Sequence, residues 1–125
     1  MKKFSTSWVS SKKPRKQRNY RERAPLHIRG RFLNARLADT LSKKYQKRSA
    51  RVRKGDKVTV LVGQFKGKSG KVENVDTKNT KVFIAGIESQ KKDGSKMRYP
   101  INPSNVMITE LNLDDKKRQE ILKRK

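Results

Sequence analysis

The chain has 125 residues, 37% charged and only 31% hydrophobic, with 35 Lys and Arg against 11 Asp and Glu and a formal charge of +24. Charge of one sign in this excess repels itself, and its plain use is to neutralise a polyanion, with counterion release driving association. No Cys excludes disulfides, thiolate nucleophiles and Cys-ligated zinc; one histidine, His27, leaves little material for a His-based metal site or a Ser-His-Asp triad; and no apolar run approaches membrane-spanning length.

The charge is uneven along the chain. Residues 1–54 hold 19 Lys and Arg with 2 acids, whereas residues 55–125 hold 16 with 9. The first part reads as a basic arm and the second as a more balanced domain. The start lacks the apolar stretch of a secretory signal. Lys12, Lys13, Arg15, Lys16, Arg18, Arg21, Arg23, Arg29 and Arg31 form the densest basic stretch, and Pro14 and Pro25 are expected to break any helix there. We expect this stretch to be disordered when free. Its arginines suit phosphate bidentately and stack on bases. With Tyr20 interleaved, it reads as an RNA-threading arm, in which His27 contacts RNA or packs. Trp8 has no local core and is assigned to a base or an RNA groove.

Leu33, Leu37, Leu41 and Tyr45 recur every fourth residue, which predicts a short helix capped by Asn34. Arg36, Lys43, Lys44 and Lys47 give that helix a basic face. From Lys57 the period changes to two, with Val58, Val60 and Val62 on one face of a strand. The segment Gly63-Gln64-Phe65-Lys66-Gly67 breaks it, and Lys71 to Val75 resumes it with Val72 and Val75 out of phase, which predicts a bulge. Asp76 to Asn79 is turn chemistry, Lys81 to Ile84 a third strand, and Glu88 to Ser95 a polar loop tipped by Asp93-Gly94. Met97 to Ile101 and Val106 to Thr109 supply two more strands. Five short strands within about 55 residues predict a small closed or nearly closed β-barrel. Asp114 and Asp115 open a C-terminal helix that ends in Lys and Arg, in accord with the helix dipole. With only Ile121 and Leu122 apolar, that helix is expected to be weak when free.

The loop between the first two strands carries the chemistry. Gly63, Gly67 and Gly70 alternate with Lys66, Lys68 and Lys71. Gly63 and Gly67 supply turn conformations that a Cβ would strain, and Gly70 suits a position approached by RNA or another strand. The lysines are assigned to phosphates. Phe65 either stacks on a splayed base or packs in the barrel, and Tyr99 and Phe83 are expected in the core.

The run Lys44-Tyr45-Gln46-Lys47-Arg48-Ser49, then Val52-Arg53-Lys54-Gly55-Asp56, then Val58-x-Val60-x-x-Gly63-x-Phe65-Lys66-Gly67-x-x-Gly70-Lys71-Val72 resembles the KOW motif as it stands in one family. That family is the universal large-subunit ribosomal protein numbered twenty-four in bacteria and archaea and twenty-six in eukaryotes. His27-Ile28-Arg29, Ile101-Asn102-Pro103-Ser104-Asn105-Val106 and Arg118-Gln119-Glu120-Ile121-Leu122 extend the resemblance over residues 10–125, with Asn102 standing where many relatives have His. The long basic arm resembles the archaeal and eukaryotic branch.

The resemblance implies a mainly β fold, a small SH3-like (KOW) barrel with a basic N-terminal extension and a C-terminal helix. We divide the chain into an rRNA-binding extension with a short helix (1–50), the barrel (51–110) and a helical tail (111–125). The resemblance implies a structural constituent of the large ribosomal subunit, in the cytoplasm, that binds the 5′ domain of its rRNA and assists early assembly. It implies a place near the peptide tunnel exit, beside other ribosomal proteins and within reach of nascent-chain or targeting factors. No enzymatic activity, cofactor, metal, small-molecule substrate or membrane span is expected. Besides the arm and loop residues, Arg36, Lys44, Arg48, Arg51, Arg53, Ser104 and Asn105 are assigned to RNA. A KOW-type transcription elongation factor that binds RNA polymerase is the alternative. It normally carries a larger α/β domain ahead of the barrel, and residues 1–50 are too basic and too poor in apolar residues for one. An enzyme would need clustered carboxylates, whereas Asp56, Glu73, Asp76 and Glu88 are scattered among lysines.

Overall fold

The computed structural model describes Phe4 and residues 11–124; Trp8 lies outside the described residues. Helix α1 (Pro14–Arg23) and the short α2 (Leu26–Arg29) lead through a 3-10 turn (Gly30–Leu33) into strand β1 (Asn34–Leu37), helix α3 (Asp39–Tyr45) and strand β2 (Ser49–Arg51). Strands β3 (Lys57–Val60), β4 (Ser69–Asp76) and β5 (Lys81–Ile84) follow, then a hairpin of β6 (Glu88–Gln90) and β7 (Lys96–Arg98). A 3-10 turn (Pro103–Asn105), strand β8 (Val106–Glu110) and helix α4 (Lys116–Lys123) complete the described chain.

Six strands form one sheet in the order β2-β1-β8-β3-β4-β5. All neighbours are antiparallel except β1 and β8, which pair in parallel through Arg36 with Met107 and Leu37 with Ile108. A bridge between Val82 and Ile101 covers the outer side of β5. The result is a mainly β, barrel-like domain with a C-terminal helix, as expected. Period-two alternation builds its interior: Ala35 and Leu37, Val58 and Val60, Val82 and Ile84, and Val106 and Ile108 all point inward, joined by Val52, Val72, Ile87 and Ile101. The bulge expected in β4 is present, where the register with β5 shifts between Val72 and Asn74.

Several expectations are corrected. The spacing of four from Leu33 to Tyr45 is split among three elements. Leu33 closes a 3-10 turn, Ala35 and Leu37 are the inward residues of β1, and the helix starts only at Asp39. Four is also a multiple of two, so the same stripe serves a strand. Asn34 therefore opens β1 and caps no helix. Pro14 starts α1 instead of breaking it, because the first helical position needs no backbone N–H. Pro25 does separate α1 from α2. Glu88 to Ser95 is not merely a loop, since Glu88–Gln90 pairs with Lys96–Arg98. Val62 falls outside β3 and is exposed, and neither Tyr99 nor Phe83 is in the buried core.

Helix α4 is fastened by a buried ion pair. Arg118 is 5% exposed and Asp56 is 0% exposed. The guanidinium meets the carboxylate with both terminal nitrogens, Nη1 to Oδ1 at 2.6 Å and Nη2 to Oδ2 at 2.7 Å. The backbone N–H groups of Arg53 and Asn112 also donate to Asp56, at 2.8 and 2.9 Å, while Arg118 donates to the carbonyls of Asn112 and Arg51. Leu122, one turn on, is buried beside it, and Asp115 caps the helix by accepting from the Lys117 N–H.

Removing one partner strands the other in a dry site, a loss of about 3–5 kcal/mol. Arg118→Met is expected to lower the denaturant midpoint accordingly. Pairing it with Asp56→Leu is not expected to restore stability, because the Arg53 and Asn112 N–H groups then lose their acceptor. Urea unfolding of the two variants checks both statements.

Candidate nucleic-acid interface

The arm presents its cations outward. Lys12, Lys13, Arg15, Lys16, Arg18, Arg21 and Arg23 are all exposed, as are His27 and Arg31. The ion pairs among the described residues are Arg36–Asp39, Arg53–Asp115, Lys57–Glu110, Lys96–Glu88, Arg98–Glu73 and Arg118–Asp56, so the arm's cations hold no acid among those residues. Tyr20 lies between Phe4, at 5.0 Å between ring centroids, and Phe32, at 6.1 Å, and the Arg21 guanidinium stands 5.6 Å over the Phe32 ring. This contact turns α1 back onto the 3-10 turn at Gly30–Leu33.

Not every assigned cation is equally available. Arg29 is half-buried and donates from Nε to the Ala24 carbonyl at 2.8 Å and from Nη2 to the Glu22 carbonyl. It satisfies carbonyls left open at the end of α1 and holds the bend between the two helices. Arg51 lies across Gly30, where a Cβ would sit 2.6 Å from the guanidinium. Arg36 reaches Asp39 at 3.4 Å, and Lys44 rests over its neighbour Tyr45. Arg48 is exposed. Arg53 donates to the carboxylate of Asp115 and, with the Lys117 N–H, holds that acid below its ordinary pKa.

The loop between β3 and β4 is a set of internal turns. Gly63 and Gly67 have φ of 101° and 84°, with open space where a Cβ would stand. They are glycines because of their backbone angles and not because of a close approach. The N–H groups of Lys66, Gly67 and Lys68 donate to the carbonyls of Gly63, Val60 and Phe65. These three amides are therefore taken up within the loop itself. Lys66, Lys68 and Lys71 are exposed. Gly70 is approached by the chain itself: a Cβ there would collide with the Ala85 carbonyl oxygen. Phe65 takes the packing alternative, half-buried against the core, edge-to-face with Tyr99 and covered by the Lys68 ammonium at 5.3 Å.

Ser104 is exposed and Asn105 half-exposed on the 3-10 turn before β8. Sequence reasoning missed Lys54, which joins Lys71 and Arg98 along an open groove beside β4, and Lys81, which lies near Tyr99. Their periodicity is that of ordinary outward strand or loop residues, so no local pattern marks them. Among the described residues no cluster of three or more His, Cys, Asp or Glu could hold a metal ion.

The Arg53 contact gives a titration test. Asp115 favours its ionised form in the folded chain, so its stabilising effect is present at neutral pH and is lost as pH falls through the depressed folded-state pKa. Arg53→Ala is expected to move that pKa up towards the ordinary carboxylate value, read by NMR titration of the Asp115 side chain.

A family model that describes the eukaryotic L26 ribosomal proteins and their archaeal counterparts numbered twenty-four matches residues 11–125. Curated proteins named large ribosomal subunit protein uL24 are similar over nearly the whole chain. The one from Methanosphaera stadtmanae is 50% identical over 115 residues, covering 92% of this chain and 98% of that protein. That from Methanothrix thermoacetophila is 50% identical over 114 residues, covering 91% and 98%. That from Methanocorpusculum labreanum is 51% identical over 107 residues, covering 86% and 88%.

Proposed function

The chain belongs to the ribosomal protein family numbered twenty-six in eukaryotes and twenty-four in archaea, and on that premise we propose that it is a structural constituent of the large ribosomal subunit that binds the 5′ domain of the large-subunit rRNA. The observation that carries the rRNA reading is the charge account. Eleven acids face 35 Lys and Arg, and the arm's cations, all but Arg29 exposed, have no acid partner among the described residues.

In this reading residues 1–50 form the principal rRNA-binding extension, whose β1 and β2 join the sheet of a KOW-type barrel (residues 51–110), and residues 111–125 form its tail. Lys12 to Arg31 thread between rRNA helices, where A-form grooves are recognised by shape, phosphate and 2′-OH. Arg36, Lys44, Arg48, Arg51 and the loop residues Lys66, Lys68 and Lys71 add phosphate contacts from the barrel side, and Ser104 and Asn105 add polar ones. The protein works in the cytoplasm within the subunit, joins early in assembly, contacts neighbouring ribosomal proteins and sits near the peptide tunnel exit. The β6–β7 hairpin, with exposed Lys91 and Lys92, suits an acidic nascent-chain or targeting factor there. The names of the relatives lend no support to the elongation-factor alternative, and the family's role is structural rather than enzymatic.

The first test follows the tagged chain through a sucrose gradient of its native lysate. Co-migration with large subunits that survives a high-salt wash is the expected result; migration with RNA polymerase, or release in mild salt, would overturn the assignment. With the purified chain and a transcript of the 5′ domain, about ten neutralised phosphates predict a log–log salt slope near −7 to −9. Deleting residues 1–23 is expected to keep the β circular dichroism signal while weakening binding at least about tenfold and making the slope shallower.

A further inference from the structure

A cleft of about 300 Å³ opens between the β3–β4 loop and the segment that returns from β7 towards β8. Val62 and Phe65 line it from the loop, Tyr99 and Asn102 from the returning segment, and Lys81 and Asn105 complete it. That volume is at the lower end for small-molecule sites, room for one small ring system and not several.

The lining is mixed in a particular way. Val62 is 60% exposed and Tyr99 is 37% exposed, so the free chain leaves apolar surface in water here. Phe65 is a poor platform for a ligand, because the Lys68 ammonium covers its ring and its side packs against Tyr99. Tyr99 is the ring left open, braced from behind by Phe65. Asn102 uses its Oδ1 to accept the Ser104 N–H at 3.2 Å, and its amide hydrogens make no bond among the described residues. The Asn105 carboxamide makes no hydrogen bond among the described residues and offers both a donor and an acceptor. Lys81 forms no ion pair among them.

An aromatic face, two carboxamides and an unpaired ammonium around a space for one ring system match a nucleotide better than a peptide side chain. Aromatic rings stack splayed bases, carboxamides read base edges, and the ammonium neutralises a phosphate. We infer that this cleft holds a single unpaired nucleotide of RNA, its base stacked on Tyr99 with the edge facing Asn102 and Asn105, and its phosphate on Lys81. The inference rests on the proposed rRNA binding and adds to it a base-contacting subsite on the barrel, where the loop lysines are assigned to phosphates.

Two measurements on the full chain test it. Titrating the 15N-labelled protein with the 5′-monophosphates of uridine, cytidine, adenosine and guanosine is expected to shift the amides of Val62–Phe65, Tyr99, Ile101, Asn102, Ser104 and Asn105. Ribose 5-phosphate should leave them in place. Equal shifts with ribose 5-phosphate, or none with any nucleotide, would overturn the base subsite. On the 5′-domain transcript, Tyr99→Ala should weaken binding about 5- to 150-fold and Tyr99→Phe less than about twofold, the range that stacking one base implies. Circular dichroism verifies that both variants fold. If the unmodified chain binds the transcript and Tyr99→Ala binds equally, the cleft assignment fails alone. If the unmodified chain does not bind the transcript, the rRNA reading fails, and the nucleotide titration still decides the cleft.

Discussion

The bidentate contact between Asp56 and Arg118 is the constraint on which the rest of this small domain depends. One carboxylate accepts from the backbone of Arg53, from the backbone of Asn112 and from a guanidinium on α4, while that guanidinium also binds the Arg51 carbonyl. The end of β2, the turn before β3, the segment after β8 and the C-terminal helix thus meet at one point. A buried pair of this kind adds little net stability over a well-packed apolar pair, since desolvating both ions offsets their attraction. What it supplies is position. A lysine could not replace the arginine, because only the planar guanidinium fork meets both carboxylate oxygens and still reaches two carbonyls.

Around that point the molecule separates its side-chain types. The buried cluster is built of Ala, Val, Leu and Ile, with no aromatic ring among the described residues. Phe65, Tyr99, Tyr20 and Phe32 are instead half-buried or exposed, and cations stand over Phe65 and Phe32. A domain with so few apolar residues would ordinarily spend its largest ones inside, where each buries the most area. They stand at the periphery instead, where Lys68 covers the Phe65 ring and Arg21 the Phe32 ring. The aliphatic interior shows that short alternating strands suffice to fold the chain without them.

How much of this was legible in the sequence depends on the range of the signal. The valines of β3 and β8, the out-of-phase pair Val72 and Val75, the Asp76 turn and the acid-to-base polarity of α4 are local, and the structure follows them. Leu33 to Tyr45 misled because a spacing of four is common to a helix face and a strand face, and only pairing with β8 and β2 decides between them. Pro14 misled because the same ring that breaks a helix interior suits its first turn. At the candidate interface, the exposed lysines of the β3–β4 loop were readable from their glycine neighbours. Asp56 and Arg118 were not, since no short-range pattern links residues 62 positions apart. Tyr99 was read as core because the predicted strand ran on to Ile101, whereas β7 ends at Arg98, three residues earlier.

The parallel pairing of β1 with β8 sets the order in which this chain can become a folded object. The first strand finds one of its two partners only in the last, so the sheet cannot close until residues 106–110 are available, and α4 cannot lock before Arg118 is. Contacts of such separation raise the contact order and slow folding, because the intervening loop must be closed before they are rewarded. During synthesis the arm is made before either β1 or β8, while the domain behind it is still an open chain. Any partner that gathers β1 and β8 together would act as a template for the fold.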